Sequence, residues 1–361
     1  MFSENGKISK RQIRRLLIYD LFGINTLLLP VLLAKSVGRD GVFCIFGAWV
    51  LLLCYLVFLE KLHRRMKCGY MQYLKESCGA FVGTCFLLMY FVYCILLSGY
   101  ALYTESALIQ KCLLKEEAFW LIAFFLCLIG AYGIYQGMEG RARVYELLFW
   151  FLMVPLFLML FLAMFQWNTD YWTPVLMTGA FGAAEGIYLV VIFSGVIFLL
   201  PFLVGYAGKK TQIVSAARQA AAFNFTMNLI VFLILLGIFQ VGALGRQRFP
   251  VVTLMSMVDL PGGFLKRQDA FMVAIWFFTL YAFLGTGLFY ARTALKKICR
   301  AKGKFSPLFA VTAAAYALAG GFYRNGSAEG WYFKFLWYVG TPAVILMPVV
   351  AYLLEGRKRG R

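Results

Sequence analysis

Acidic side chains and histidine are scarce: 16 Asp and Glu and a single His stand among 361 residues, and charged residues of both signs make up only 14%. So thin a supply of carboxylate and imidazole yields no paired acids, no Ser/His/Asp set and no ligand cluster at metal spacing, so neither an enzyme nor a metal site is expected. The nine cysteines include no CxxC pair, which argues against a disulfide framework. No glycine loop of phosphate-cradling type is visible, and no cofactor is expected. The one histidine, His63, lies in the basic stretch HRRMK and reads as a solvated side chain of an inner loop.

What the chain has in abundance is apolar surface. It is 62% hydrophobic with a mean hydropathy of +0.78, more than a soluble domain can hide, so it reads as an integral membrane protein. No early segment pairs a short apolar core with a small-residue cleavage site, so no signal peptide is expected. Cutting the chain at charged and turn-rich breaks gives ten candidate spans, within 12–33, 41–59, 81–103, 118–136, 145–165, 186–206, 219–244, 270–290, 306–322 and 335–354. Each is about the length at which a helix crosses a hydrocarbon core, so the expected fold class is all-α with ten transmembrane helices. Lys and Arg concentrate in the N-terminal tail, in alternate connections and in the C-terminal tail, which places both termini in the cytoplasm. The formal charge of +19 then faces anionic lipid. Because the basic residues lie in short dispersed loops rather than along one face, no nucleic-acid partner is expected.

Five spans precede position 166 and five follow it, so the second half enters the membrane from the opposite side. That is inverted-repeat geometry within one transmembrane domain, with halves 1–165 and 166–361. The first span of each half carries a glycine followed by a proline behind leucines: GINTLLLP from Gly23 to Pro30 and GVIFLLP from Gly195 to Pro201. Glycine lowers the cost of leaving helical geometry, and proline removes a hydrogen bond to the carbonyl four residues back. Paired interruptions at corresponding positions point to broken helices one and six around a binding site. A break near Gly23 would aim the amides of Ile24, Asn25 and Thr26 at a carboxylate, while carbonyls near Phe193 and Ser194, beside Gly195, would receive an ammonium. The two together suit an amino-acid-like zwitterion. The competing reading is that these glycines and prolines only allow close packing and kinks.

Few polar residues fall inside the spans. Asp20, one turn before Gly23, reads either as a proton site or gate, or as a partner for Arg14, Arg15 and the inner basic loops. Glu105, in YTES, reads as a gate or as an interfacial carboxylate. Glu146 and Glu185 sit near span starts, where an acid complements the helix dipole. Spans five and eight lack a buried lysine. Thr279 and Thr286 offer hydroxyls for a sodium site, although such hydroxyls usually bond their own backbone. Among the aromatic residues of spans three and eight, Tyr93 and Tyr281 are the candidate ligand contacts. The segment Val251–Leu260 reads as a lid on the outer mouth or as an ordinary interfacial helix.

The opening ISKRQIRRLLIYDLFGINTLLLP and the later PVVTLMSMVDLPGGFLKRQDAFMVAIWFF resemble the spore germination permeases, the B subunits of bacterial nutrient germinant receptors, within the amino acid/polyamine/organocation transporter superfamily. The resemblance runs over nearly the whole chain. It implies a LeuT-like bundle of two inverted five-helix repeats, a small nutrient bound between helices one and six, and A and C receptor subunits as partners in the inner membrane of a spore. One departure stands out: where many such permeases carry an acid after the helix-six glycine, this chain has Val196 and Ile197. Nutrient sensing is thus the expected function, with a proton-coupled amino acid permease as the alternative.

Overall fold

The computed structural model describes residues 6–257, 268–300, 303 and 305–359. Its helices are α1 (Lys10–Ser36), α2 (Gly41–Arg65), α3 (Tyr70–Cys78), α4 (Ala80–Cys112), α5 (Phe119–Tyr135), α6 (Gly137–Ala163), α7 (Ala180–Phe193), α8 (Lys210–Arg246), α9 (Pro250–Met257), α10 (Gln268–Ile298), α11 (Phe305–Arg324), α12 (Ser327–Phe335) and α13 (Thr341–Arg359). A 3-10 helix, Gly195–Gly205, follows α7, and a π-turn, Leu336–Gly340, joins α12 to α13. Among the described residues nine helical stretches are long and apolar enough to cross a membrane. The tenth expected span is α5, 17 residues long, or about 26 Å at a helical rise. Every expected span therefore coincides with an apolar helix.

Burial sorts these spans into an inner and an outer set. In the most apolar stretch of the first and sixth spans 89% of residues are buried, and in the eighth 78%; the second has 33%. The outer set turns residues such as Phe46, Leu147 and Phe181 outward, which lipid accepts as readily as a protein core does. One end of the bundle gathers both chain ends. The Ile8 amide donates to the Tyr206 carbonyl at 2.8 Å, and Tyr73 Oη donates to Glu355 at 2.8 Å. Glu146 binds Arg11 and accepts from Gln12 Nε2 at 2.9 Å, fastening the start of α1 to α6. At the other end the Asp40 carboxylate accepts the Leu176 and Thr178 amides at 2.5 and 2.7 Å.

The first span is not broken. The structure corrects that expectation: α1 runs without interruption through Gly23 and Pro30. Thr26 Oγ1 donates to the Phe22 carbonyl at 2.7 Å and accepts from Trp276 Nε1 of α10 at 3.1 Å, so the Thr26 hydroxyl and the Trp276 indole are satisfied without the helix opening. Gly23 serves a close crossing, since a Cβ there would stand 2.6 Å from Thr279 Oγ1 and 3.0 Å from the Thr279 backbone carbon. The sixth span does leave α-geometry: α7 ends at Phe193, Ser194 takes φ −87° and ψ 17°, and eleven residues of 3-10 helix containing Pro201 follow. Such helices rarely exceed three or four residues, and this one is buried from Gly195 to Val204.

One further expectation changes: His63 is buried at the end of α2, with 2% exposure, instead of solvated. The segment read as an outer lid or an interfacial helix forms the helix α9, whose Val251, Leu254 and Met255 are buried; its residues 258–260 lie outside the described residues. Because the α1–α10 crossing depends on a missing side chain, Gly23→Val is expected to cost about 1–3 kcal/mol by overpacking, lowering the melting temperature in detergent. Gly321→Ala on α11, where an added Cβ meets nothing within 4 Å, should be neutral or slightly stabilising in the same measurement.

Candidate functional site

The interruption of span six faces a small apolar cavity of about 20 Å³, lined by Ile24 of α1, Leu97 and Tyr100 of α4, Ile192, Phe193 and Gly195 at the break, Phe283 of α10, and Tyr332, Phe333 and Leu336 of span ten. That is room for a single water. The wall is aromatic and tightly latched. Tyr100 stacks on Tyr332 with centroids 4.3 Å apart and planes 18° apart, and its hydroxyl donates to Glu329 at 3.4 Å. Phe193 stacks on Phe333 at 6.1 Å. The cavity is thus closed by side chains of α12, whose connection to α13 is the π-turn.

Of the residues expected to bind ligand, Ile24, Phe193 and Gly195 line this cavity. Tyr93 stands one step behind it: its hydroxyl lies against Gly195, and its ring edge would lie 3.2 Å from a Cβ on Gly340. It therefore sits between the 3-10 segment of span six and the π-turn of span ten. Ser194 is buried and donates back to the Val190 carbonyl at 2.9 Å, so its hydroxyl closes the end of α7. Asn25 and Thr26 are buried on α1 but do not line the cavity. Tyr281 points elsewhere, donating to the Ile129 carbonyl of α5 at 3.0 Å. Right helices were identified at neighbouring turns: Tyr100 and Phe283 occupy the places given to Tyr93 and Tyr281. Pro201 lies inside the 3-10 segment and Pro30 inside the intact α1.

Both acids of these spans are buried within the bundle. Glu105 has 0% exposure, and neither of its carboxylate oxygens meets a protein hydrogen-bond partner. Asp20 has 1% exposure and does not pair with Arg14 or Arg15; its Oδ2 accepts from Thr286 Oγ1 at 2.8 Å. Thr286 Oγ1 in turn accepts from Arg141 Nη2 at 2.7 Å, and the same guanidinium donates to the Ala282 carbonyl at 3.0 Å. A buried cation in span five thus reaches an acid of span one through a hydroxyl of span eight. Arg141 escaped the sequence reading because it falls at the basic start of α6, where a solvated role is the ordinary expectation. Thr279, by contrast, bonds its own backbone at Ile275 and Trp276.

A family model described as spore germination protein matches residues 7–320. Spore germination protein YndE of Bacillus subtilis (strain 168) is 21% identical over 321 residues, 88% of each chain, and spore germination protein A2 of the same organism is 21% identical over 348 residues, 94% of this chain and 93% of that one. Among solved structures, a Na⁺-coupled sialic acid symporter in a substrate-bound outward-open state superposes with a TM-score of 0.66 at 12% identity, covering 96% of this chain and 79% of the other. MHP1, a nucleobase-cation-symport-1 family transporter in a closed conformation, gives 0.62 at 12% identity, covering 96% and 90%. The fold is therefore that of LeuT-like transporters.

Breaking the Asp20–Thr286–Arg141 chain strands a buried charge. Arg141→Met is expected to destabilise by about 3–5 kcal/mol, read as a lower melting temperature in detergent. Adding Asp20→Asn should recover part of that loss, giving a double-mutant coupling of about 0.5–3 kcal/mol; strictly additive losses would mean the groups do not act together.

Proposed function

Because the chain belongs to the spore germination protein family, we propose that it is the membrane subunit of a germinant receptor, sensing a small nutrient in the aromatic cavity at the span-six break. Family membership and a transporter-like fold support a germination or permease role; the observation that carries sensing of an amino-acid-like nutrient is the cavity itself. Its apolar wall, drawn together to the volume of one water by Phe193, Phe333 and the Tyr100–Tyr332 stack, offers aromatic surface to an apolar side chain when those rings part. The carbonyl end of α7 at Phe193 and Ser194 carries the negative end of a helix dipole, which favours an ammonium. With α1 unbroken, the amides of Ile24, Asn25 and Thr26 are held inside α1 and are not offered to the carboxylate, so the amine and the apolar body dominate recognition.

Signalling requires that the nutrient bind two conformations unequally. In this reading residues 1–165 and 166–361 act as two inverted five-span repeats, both termini lie in the cytoplasm as the positive loops favour, and the conformational change passes to A and C partner subunits in the spore inner membrane. A second reading, a proton-coupled amino acid permease, is favoured by one observation: Asp20 is a buried acid with one oxygen bonded to Thr286 and the other without a partner, the environment of a proton carrier. Uptake of a labelled amino acid panel into proteoliposomes holding the purified chain separates the two. The sensor reading expects saturable binding that never exceeds the protein copy number, with or without a proton gradient. Gradient-driven accumulation beyond that number would make the chain a permease, and no binding of any amino acid would remove both readings.

A further inference from the structure

A second, larger hollow lies on the side of the bundle away from the chain ends. It is an open groove of about 590 Å³ between α7 and the outer part of span ten, lined by Phe181, Glu185 and Tyr188 on one side and Phe333, Lys334 and Trp337 on the other. Ligand sites typically measure about 300–1,000 Å³, so the groove has the capacity that the closed cavity lacks. Phe333 lines both hollows. One ring therefore stands between an open groove and the closed aromatic cavity.

The groove brings opposite charges together. Glu185 and Lys334 are both exposed, and among the described residues neither is in an ion pair; Lys334 Nζ lies 5.8 Å from the Trp331 ring centroid. An acid and an amine on a shared aromatic-walled groove complement the ammonium and carboxylate of a zwitterion, with Tyr188, Trp337 and Phe333 as apolar surface for its side chain. Phe333 and Lys334 ride on the nine-residue α12, which runs on into α13 through the π-turn Leu336–Gly340, and a π-bulge of this kind is frequent at functional sites. The present pose of α12 is fixed by the Tyr100–Tyr332 and Phe193–Phe333 stacks, the Tyr100 hydroxyl bond to Glu329 and the Tyr188 Oη bond to the Trp337 carbonyl at 2.7 Å.

We propose that this groove is a second binding site, at which a zwitterionic amino acid docks between Glu185 and Lys334 before Phe333 admits it to the cavity. The proposal rests on the sensing reading above for its ligand, but the path through Phe333 is a property of the chain alone. Movement of α12 about the π-turn carries Phe333 away from Phe193 and joins the two hollows. The charges select the zwitterion in the groove, and the aromatic cavity then selects its side chain.

The test uses the full chain in nanodiscs of phosphatidylcholine and phosphatidylglycerol, with a charged methanethiosulfonate reagent and adducts counted by peptide mass spectrometry, so that the native cysteines do not interfere. A thiol placed in the cavity by Leu336→Cys should react slowly beside Phe333 and about ten-fold or more faster with Phe333→Ala, a change of about 1.4 kcal/mol; Phe333→Leu serves if the alanine variant does not fold. An unchanged rate overturns the path. Tyr338 also lines the groove; a thiol placed there by Tyr338→Cys should be protected by a panel of alanine, valine, leucine and phenylalanine, and Glu185→Gln with Lys334→Met should abolish that protection while Lys334→Arg preserves it. Protection that survives removal of both charges overturns the docking role, as does protection given by phosphatidylethanolamine but by no amino acid, which would make the groove a lipid site. If the panel protects the cavity thiol but not the groove thiol, the docking site fails and the sensing reading stands; if it protects neither, the sensing reading fails too.

Discussion

Span six abandons α-geometry at Ser194, and the rest of the bundle is arranged to permit it. An eleven-residue 3-10 helix makes weaker hydrogen bonds than an α-helix, and hydrocarbon offers its backbone nothing in exchange. Such a segment survives only with protein on every side, and here it is buried along nearly its whole length. Spans one, two and seven, the short helix α3 and the α13 half of span ten enclose it. Tyr93 fits between Gly195 and Gly340, touching the two places where spans six and ten depart from α-geometry. A side chain on either glycine would push that ring away and uncouple the irregular segments.

The spans were legible in the sequence because each is a long apolar run bounded by charge, and bilayer thickness sets its length. The span-six break was legible too, from Gly195 and Pro201. The same pattern misleads in span one, where Thr26 and Trp276 supply local hydrogen bonds and Gly23 serves a close approach to Thr279. Those contacts come from α10, some 250 residues away, and no local pattern announces them. Facing direction is hidden for the same reason. Tyr93 and Tyr100 share a helix, and only the positions of Gly195 and Tyr332 decide which one supports the cavity and which lines it. Arg141 and His63 are buried although they sit in basic neighbourhoods, because the inner ends of α6 and α2 are covered by other parts of the bundle.

Polar chemistry and aromatic chemistry occupy different levels. Arg141, Thr286 and Asp20 form a connected chain across spans five, eight and one, on the side of the cavity nearer the chain termini, while Tyr100, Phe193, Phe283 and Phe333 form an apolar enclosure toward the other face. Asp20 lies about one turn of α1 before Ile24, so a shift of α1 against α10 reaches both levels. In the proposed sensing role this is how occupancy of the cavity would be felt at the cytoplasmic end, since the buried hydrogen-bond chain has few alternative arrangements and tight packing transmits displacement. In the proposed path through Phe333, α12 of span ten, joined to α13 by the π-turn, is the complementary moving part. Both parts meet at the aromatic cavity.

The most direct test of the account is photocrosslinking of the full-length chain with a diazirine analogue of leucine, followed by mass spectrometric location of the adducts. The account predicts adducts on the peptides carrying Tyr100, Phe193 and Phe333, suppressed by unlabelled amino acid. Adducts confined to outward-facing positions such as Leu147 or Trp150, or insensitive to competitor, would contradict the claim that the aromatic cavity at the span-six break, opened by its rings, is where the nutrient binds.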